Sequence, residues 1–405
     1  MRKWLMIAFV IFLGSTVGSV SPCTIFNASK NGLVLAGNNE DGSSTNTNVW
    51  FVPASKGKYG VVWVGFDKNL SKMGAMNDQG LFFDANALKF AKMNPHPEKL
   101  SFNQEKDVWA RMMSAWEKVM QECAGVNEVL EMLKKHNLEG WDNLQLMFAD
   151  KSGASAVVGA DKNGELAVTP KKGDYQVSTN FNVASPEFGA FSYPCQRYNI
   201  ATEMLEAMKE LTVDYARSIL AAVHAEGSSA TIYSNICDLT HGDIYIYNFH
   251  NFGEVVRFNL AEELKKGEKL YSFASLFPRK SYAQTSFETS RDNTLTAVLR
   301  QTMAKEGLKA AIQKYHKIKD NYSPVPGQLF MFAYGFFQIG KIGEAIEIVE
   351  LSAAEFPRIP ETFKFLGDLY LRQNNNEQAI KNYKKSLELK PENKEVIDIL
   401  NRIQK

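Results

Sequence analysis

Cys23 is the residue with the clearest chemical potential in this sequence, because it follows a segment typical of an export signal. That segment has a basic start at Met1-Arg2-Lys3, an apolar run from Trp4 to Leu13, and small residues from Gly14 to Ser21. Cleavage before Cys23 would place a thiol and a free α-amine on one residue. An α-amine titrates near ~8 and a thiol near ~8.5, so the amine can act as general base for its own side chain. Cys23 is therefore a candidate N-terminal nucleophile, and the alternative from these residues alone is a disulfide-bonded or buried structural cysteine.

The leader predicts an exported protein, either periplasmic or extracellular. Its apolar core, Trp4–Leu13, is shorter than the roughly 20 residues that span a bilayer. We therefore expect no stable membrane span after processing, with an uncleaved anchor as the alternative. Pro22 directly before Cys23 suits signal peptidase badly. We expect that peptidase to cut near Ser19 or Ser21, and a second, autocatalytic step to release Cys23.

Composition narrows the function classes. The chain has 405 residues, 45% apolar and 22% charged, which is typical of a globular protein of two or three domains. A net charge of +1 gives no reason to expect a nucleic-acid partner. The six histidines show no metal-ligand spacing, so we expect neither a metal nor another cofactor. The four cysteines fit one disulfide bridge or none, and their pairing stays open (Cys23, Cys123, Cys195, Cys237).

Residues 23–278 mix strands with two helical stretches. Residues 23–42 read as strand, turn, strand, and β-branched or aromatic runs predict further strands at 49–52, 60–64, 156–158, 175–178 and 243–247. Apolar residues at three- and four-residue spacing predict helices over 102–133, with a break near Gly125, and over 196–222. Because the strands come in hairpins rather than alternating with helices, we predict an α+β sheet sandwich.

The C-terminal part reads as a helical repeat domain. Residues 279–291 are polar and unpatterned and are predicted to be a linker. Beyond them, over 292–405, residues of the same type recur 34 positions apart, as at Pro326 and Pro360 or Ala345 and Ala379. This pattern resembles the tetratricopeptide repeat, which implies paired helices with a concave surface for a protein or peptide partner.

Several segments of the first part resemble one enzyme group in type and order. They are Cys23-Thr24, Gly37–Asp41, Gly74–Leu81, Phe148–Gly153, Val177–Asn180, Gln196–Tyr198, and Thr231–Ser234 with Asp238 and Tyr245. Together they resemble the N-terminal nucleophile (Ntn) hydrolases of the choloylglycine hydrolase, penicillin V acylase and acyl-CoA:isopenicillin N acyltransferase group. The resemblance implies a four-layer αββα sandwich over residues 23–278, followed by the all-α tetratricopeptide-like repeats.

The same resemblance implies roles for individual residues. Cys23 would attack an amide carbonyl, and Asp41 would hold its α-amine. Asn180 falls where the family supplies an oxyanion-hole amide, a group typically worth ~10²–10³ in rate. Arg197 falls where the family has an arginine that positions the nucleophile. Asn86 is the nearest candidate for a second oxyanion group, although it lies one place off the family register.

Three of these residues could instead have purely structural roles. Asp41 could cap the hairpin turn, Asn180 could be a turn residue, and Arg197 could be a surface residue at a helix start. Asn38 departs from the family, which has arginine there, and so removes a cation that would lower the thiol pKa.

The resulting hypothesis is an exported cysteine amidohydrolase that cleaves a linear amide bond in a small-molecule substrate through a Cys23 acyl-enzyme. An acyltransferase with the same intermediate and a non-catalytic binding protein are the alternatives. The acyl group is left open.

Overall fold

The computed structural model describes residues 23–66, 71–88, 91–103, 108–186, 195–227, 229–292, 294–322, 326–338 and 340–403. The predicted export signal, residues 1–22, lies outside the described residues. The chain divides into two compact units, residues 1–285 and residues 286–405.

The first unit holds two antiparallel sheets. The strands are β1 (Thr24–Lys30), β2 (Leu33–Gly42), β3 (Thr47–Val52), β4 (Val61–Phe66), β5 (Ser71–Asn77), β6 (Leu81–Ala87), β7 (Leu144–Asp150), β8 (Ser155–Ala160), β9 (Leu166–Pro170), β10 (Tyr175–Ser178), β11 (Ala230–Asp238), β12 (Asp243–Asn248), β13 (Val256–Asn259) and β14 (Lys269–Ser272). One sheet has the order β10-β1-β2-β11-β12-β13, and the other has the order β14-β3-β4-β5-β6-β7-β8-β9.

Helices accompany both sheets. Those of the first unit are α1 (Val108–Glu122), α2 (Val126–Lys135), α3 (Gln196–Glu206), α4 (Val213–Ala222), α5 (Leu260–Leu264) and α6 (Phe273–Leu276), and α7 (Tyr282–Asp292) straddles the boundary between the units. The helical stretch predicted over 102–133 is thus two helices, and Gly125 is the N-cap of the second. The stretch predicted over 196–222 is also two helices, α3 and α4.

Side-chain alternation along the strands builds four layers. Ile25 and Ala36 of the first sheet share one apolar core with Phe82 of the second, so this core lies between the sheets. Phe26, the next residue along β1, instead packs in a core with residues of α3 and α4. The opposite face of the second sheet packs on α1 and α2. The predicted four-layer αββα sandwich is therefore confirmed.

The β1–β2 hairpin fixes the register around Cys23. Its turn residues, Asn31 and Gly32, have φ values of 52° and 83°, the left-handed pair that an Asn-Gly two-residue hairpin turn requires. The strands pair from Lys30↔Leu33 to Thr24↔Asn39. One residue further along, Cys23 faces Glu40.

Most of the predicted linker, residues 279–291, is helical and belongs to α7. Ser281 explains the helix start, since its hydroxyl accepts a hydrogen bond from the Gln284 backbone N–H at 3.1 Å. A serine cap can start a helix in a polar sequence that lacks a clear apolar period.

The second unit is a stack of helices. They are α8 (Leu295–Glu306), α9 (Leu308–Ile318), α10 (Pro326–Gln338), α11 (Ile342–Glu355), α12 (Pro360–Arg372), α13 (Asn376–Leu389) and α14 (Lys394–Ile403). Helices α12 and α13 pack closely because Gly367 has no side chain: a Cβ there would lie 2.6 Å from the Tyr383 ring. Within the described ranges, no helix is both long enough and apolar enough to cross a membrane.

Candidate active site

Cys23 lies at the edge of the inter-sheet core. It immediately precedes β1 and is 4% exposed. Because Ile25 points between the sheets, alternation directs the Cys23 side chain the same way. On the adjacent strands, Glu40 of β2 faces Cys23, and Tyr233 of β11 pairs with Glu40. The thiol, a carboxyl and a phenol therefore form a row across three neighbouring strands.

Arg197 holds the backbone of the candidate nucleophile. It lies in the first turn of α3, and its Nη1 donates to the Cys23 carbonyl at 2.8 Å and to the Thr24 hydroxyl at 2.7 Å. Its Nη2 donates to Asn180 Oδ1 at 3.0 Å. The guanidinium thus ties together three elements that are distant in sequence and is not a surface group.

Asp41 lies beside Cys23 on the other face of β2 from Glu40. Its Oδ1 accepts a hydrogen bond from the Thr231 hydroxyl, and its Oδ2 lies 4.0 Å from Arg197 Nη1. That Oδ2 atom is buried and has no hydrogen-bond partner among the described residues. Burial raises the pKa of Asp41 to about 7, against the lowering effects of the Thr231 hydrogen bond and the Arg197 charge. Asp41 is therefore an interior carboxyl rather than a turn cap.

Asn180 and Asn86 differ in the hydrogen bonds that their side-chain amides make. Asn180 accepts from Arg197, and its Nδ2 donates to the Ala87 carbonyl at 2.9 Å. Asn86, on β6, accepts from the Ser178 hydroxyl at 2.5 Å. Its Nδ2 is buried without a hydrogen-bond partner in the described part of the chain. Asn86 therefore offers an unused N–H donor, while Asn180 is fixed at both ends of its amide.

Three buried polar side chains beside the thiol were not predicted from the sequence: Glu40, Asp84 and Tyr233. Burial is the largest cause that raises the pKa of Glu40, to about 8, with the Asp41 charge second. Burial and the Glu40 charge raise the pKa of Asp84 well above its usual range. Burial and the same two carboxyls, Glu40 and Asp84, raise the pKa of the Tyr233 phenol.

Burial and these neighbouring groups set the pKa of the Cys23 thiol. Burial raises the pKa of Cys23 well above its usual value, and the charges of Glu40, Asp41 and Asp84 add to that effect. A hydrogen bond from the Asp41 backbone opposes it. Asn38, in place of a cation, does nothing to reverse it. The thiol is therefore protonated at neutral pH and needs a base to become a nucleophile.

The position of Glu40 opposite Cys23 could have been predicted from the sequence. The Asn31-Gly32 turn fixes the hairpin register, and counting outward from it places Glu40 opposite Cys23. Asp84 is a lone carboxyl within the otherwise uncharged strand β6, which marks it as unusual, but its position facing Glu40 depends on how the two sheets stack. No sequence pattern states that stacking.

All four cysteines are free thiols. Within the part of the chain that the structure describes, no three or more His, Cys, Asp and Glu side chains are grouped as a metal site.

Two protein-family models match parts of this chain. Residues 33–219 match the family model described as linear amide C-N hydrolases, choloylglycine hydrolase family. Residues 360–396 match the model of the SHNi-TPR domain. A search of curated proteins finds no match.

Several solved structures are similar to parts of this chain. A mutant conjugated bile acid hydrolase from Clostridium perfringens is 19% identical and covers 62% of this chain and 96% of its own, with a TM-score of 0.48. Penicillin V acylase from Agrobacterium tumefaciens is 18% identical and covers 62% and 90%, with a TM-score of 0.47. The first TPR of Spaghetti (RPAP3), bound to an HSP90 peptide, is 24% identical and covers 27% and 89%, with a TM-score of 0.21.

Proposed function

Because residues 33–219 match the model of the choloylglycine hydrolase family of linear amide C–N hydrolases, we propose that Cys23 is the nucleophile of this chain. We also propose that the exported, processed protein hydrolyses a small-molecule amide. The observation that carries the proposal is the bond from Arg197 to the Cys23 carbonyl. That bond holds the backbone of this one cysteine beside a buried carboxyl, Asp41, whose Oδ2 lacks a hydrogen-bond partner among the described residues.

Processing would supply the missing base. Cleavage before Cys23 creates an α-amine, and its N–H groups would fill the unpartnered Oδ2 atom of Asp41. A buried acceptor without a partner is costly, so this arrangement favours a donor arriving at that position. Residues 1–22 are proposed to direct export and then to be removed, which gives the periplasmic or extracellular enzyme its working N-terminus.

The chemistry then proceeds in two balanced steps. The α-amine takes the thiol proton, Cys23 Sγ attacks the amide carbonyl carbon, and the proton passes to the leaving nitrogen as the C–N bond breaks. This leaves a thioester on Cys23 and releases an amine. Water then attacks the thioester carbonyl and gives one proton to the α-amine. As the C–S bond breaks, the α-ammonium passes that proton to the sulfur, which releases a carboxylic acid and restores the thiol.

The tetrahedral intermediate needs hydrogen-bond donors for its oxyanion. Asn86 Nδ2 is proposed as one donor because it is buried on β6 with no other partner in the described residues. Asn180 is proposed as the second group, held at the site by Arg197. Preorganised donors of this kind typically contribute ~10²–10³ in rate.

The repeats are proposed to serve a protein or peptide partner and not the chemistry. Residues 360–396 match a TPR model, and stacked repeats of this kind present extended concave binding surfaces. The partner is left open.

Substitution at Cys23 tests the function. A panel of N-acyl p-nitroanilides would be screened with the processed wild-type protein, Cys23→Ala and Cys123→Ala. Cys123 is also a buried free thiol, but it packs in the core between α1, α2 and the second sheet. Loss of hydrolysis in Cys23→Ala alone is expected. Equal activity in all three proteins would reject Cys23 as the nucleophile.

A further inference from the structure

The space between the two sheets has an unusually polar end at Cys23. Most of this layer is aliphatic or aromatic. Near the thiol, however, four positions on strands of both sheets are polar and fully or almost fully buried: Glu40, Asp84, Tyr233 and Asn235. Buried polar groups cost free energy unless they are hydrogen-bonded. A cluster of them beside a candidate nucleophile therefore needs a ligand or a compensating partner.

Several polar atoms of the cluster lack a hydrogen-bond partner in the part of the chain that the structure describes. Glu40 Oε2, Asp84 Oδ2, the Tyr233 hydroxyl and Asn235 Oδ1 are all buried without a hydrogen-bond partner among the described residues. Asp84 Oδ1, by contrast, accepts from the Ala85 backbone N–H at 2.7 Å. Each of these groups can accept a hydrogen bond, so the unfilled positions fit a ligand rich in N–H donors.

The cluster also holds two carboxyls, Glu40 and Asp84, whose raised pKa values keep them mostly protonated near neutral pH unless a cation is present. The charges that act on Glu40 and Asp84 are those of carboxyls, namely Asp41 on Glu40 and Glu40 on Asp84, while hydrogen bonds with Asn38 and Cys23 lower the pKa of Glu40 in part. Nothing in the described ranges forms an ion pair with either of them, whereas Asp41, on the other face of β2, has Arg197 at 4.0 Å. Two buried carboxyls without a cation are unfavourable when ionised. A cationic ligand removes that penalty.

We propose that Glu40 and Asp84, with the Tyr233 hydroxyl, bind an ammonium group on the acyl part of the substrate, close to the carbonyl that Cys23 attacks. The proposal rests on Cys23 being the nucleophile and names the substrate class: amides of short amino acids that carry a free amine. The acyl part is placed on this side because Cys23 Sγ, to which it becomes bonded, faces the same inter-sheet space as Glu40.

This arrangement also explains how the thiol can work although position 38 holds an asparagine instead of an arginine. Burial, together with the charges of Glu40, Asp41 and Asp84, raises the pKa of the thiol and keeps it protonated, and Asn38 provides no opposing charge. A substrate ammonium placed between Glu40 and Asp84 supplies that charge only when substrate is bound. An apolar acyl chain at the same position would leave both carboxyls desolvated and unpaired.

The direct test is charge-selective modification of Cys23. Processed protein would be treated with 2-aminoethyl methanethiosulfonate, which is cationic, or 2-sulfonatoethyl methanethiosulfonate, which is anionic. Modification of Cys23 is followed by peptide mass spectrometry, and rates are normalised to those of a free thiol. We expect the normalised cationic rate to exceed the anionic rate by at least about 10-fold, as expected for close opposite charges in a partly buried site.

Matched variants test whether Glu40 and Asp84 cause the difference between the cationic and anionic modification rates. Glu40→Gln and Asp84→Asn keep the side-chain shape and remove one charge each, so each is expected to shrink the ratio. Glu98→Gln removes an exposed carboxyl and is expected to leave it unchanged. A wild-type ratio near one, a ratio that both Glu40→Gln and Asp84→Asn leave intact, or a folded protein whose Cys23 reacts with neither reagent overturns the ammonium site.

Substrate pairs test the same site during turnover. The acyl chain of β-alanyl p-nitroanilide ends in an ammonium group, whereas that of butyryl p-nitroanilide ends in a methyl group at the same position. We expect kcat/KM to favour β-alanyl, and Glu40→Gln to reverse the order. Faster hydrolysis of butyryl by wild type overturns the inference. If neither is hydrolysed, the proposed activity fails for short acyl groups, while the modification rates, which need no hydrolysis, still decide on the ammonium site.

Discussion

Arg197 donates a hydrogen bond of 2.8 Å to the main-chain carbonyl of Cys23, across 174 positions of sequence. The same guanidinium bonds the hydroxyl of Thr24 and the side-chain amide oxygen of Asn180. A planar group with several fixed donors can satisfy such a set, whereas a lysine ammonium lacks the fork geometry. The helix α3 thereby holds the start of β1 in place.

Replacing Arg197 by lysine should therefore impair catalysis without unfolding the protein. The charge near Asp41 is kept, but the simultaneous bonds to Cys23, Thr24 and Asn180 are lost. Because small displacements of reacting groups can cost about 10²-fold, we expect kcat to fall by about that factor with little change in thermal midpoint. Arg217→Lys is the control, since Arg217 forms an ion pair with Asp214 within α4. Equal kcat in the two variants would argue against a positioning role for Arg197.

Asp41 should set the acid limb of the pH–rate profile. Burial raises its pKa to about 7, and its ionised form is the one that can hold an α-ammonium. Activity should therefore fall as the pH drops through a midpoint at or below about 7, as a required base is protonated. In Asp41→Asn, kcat/KM should be lower throughout and that limb should vanish. Profiles measured from pH 5 to pH 9 check this, and an unchanged limb in the variant would assign it to another group.

Glu40 should make the protein less stable at alkaline pH. Its pKa is raised from 4.5 to about 8 in the folded state, so the folded protein binds more protons than the unfolded chain between these values. Stability is then lost as the pH rises through that window and is intact below it. Glu40→Gln removes this loss.

Thermal unfolding at pH 5 and at pH 8.5 measures the difference. The variant should gain at least about 2 °C over wild type at pH 8.5, which corresponds to ~1 kcal/mol or less for a domain of this size. At pH 5 the gain should be much smaller. A gain that is the same at both pH values would show that charge is not its cause.

Gly367 should be essential to the packing of α12 on α13. A Cβ at this position would lie 2.6 Å from the ring of Tyr383, a fully buried residue. Overpacking of this kind typically costs about 1–3 kcal/mol, so Gly367→Ala should lower the unfolding midpoint of the repeats. Gly343→Ala in α11 is the matched control, because a Cβ there meets no atom within 4 Å.

The same pair of variants tests whether the repeats take part in the chemistry. Both should hydrolyse amide substrate at the wild-type rate below the unfolding temperature. A fall in kcat confined to Gly367→Ala would tie the repeats to the active site.

Much of the fold could be predicted from sequence because local patterns determine it. These short-range patterns are the β-branched and aromatic runs of β3 and β4, the Asn31-Gly32 turn and the 34-residue spacing in the repeats. The break between α3 and α4 was missed, since both helices share one apolar period while residues 207–212 are not helical.

The candidate site could also be predicted from the sequence only in part. Motif resemblance brought Cys23, Asp41, Asn180 and Arg197 together, and the structure places them within one bonded group, although their catalytic roles remain predictions. Asp84 could not be placed beside the thiol, because its position depends on which strands of the two sheets face each other. That relationship is set by packing of the whole sandwich.

The most direct test of Cys23 as an N-terminal nucleophile is mass spectrometry of the exported protein, alone and after rapid mixing with a hydrolysable amide. We predict a mature chain that begins at Cys23 and gains the mass of one acyl group, located on the N-terminal peptide and absent in Cys23→Ala. A mature chain that begins upstream of Cys23, or an active protein that shows no acyl adduct on that peptide under single-turnover conditions, would contradict it.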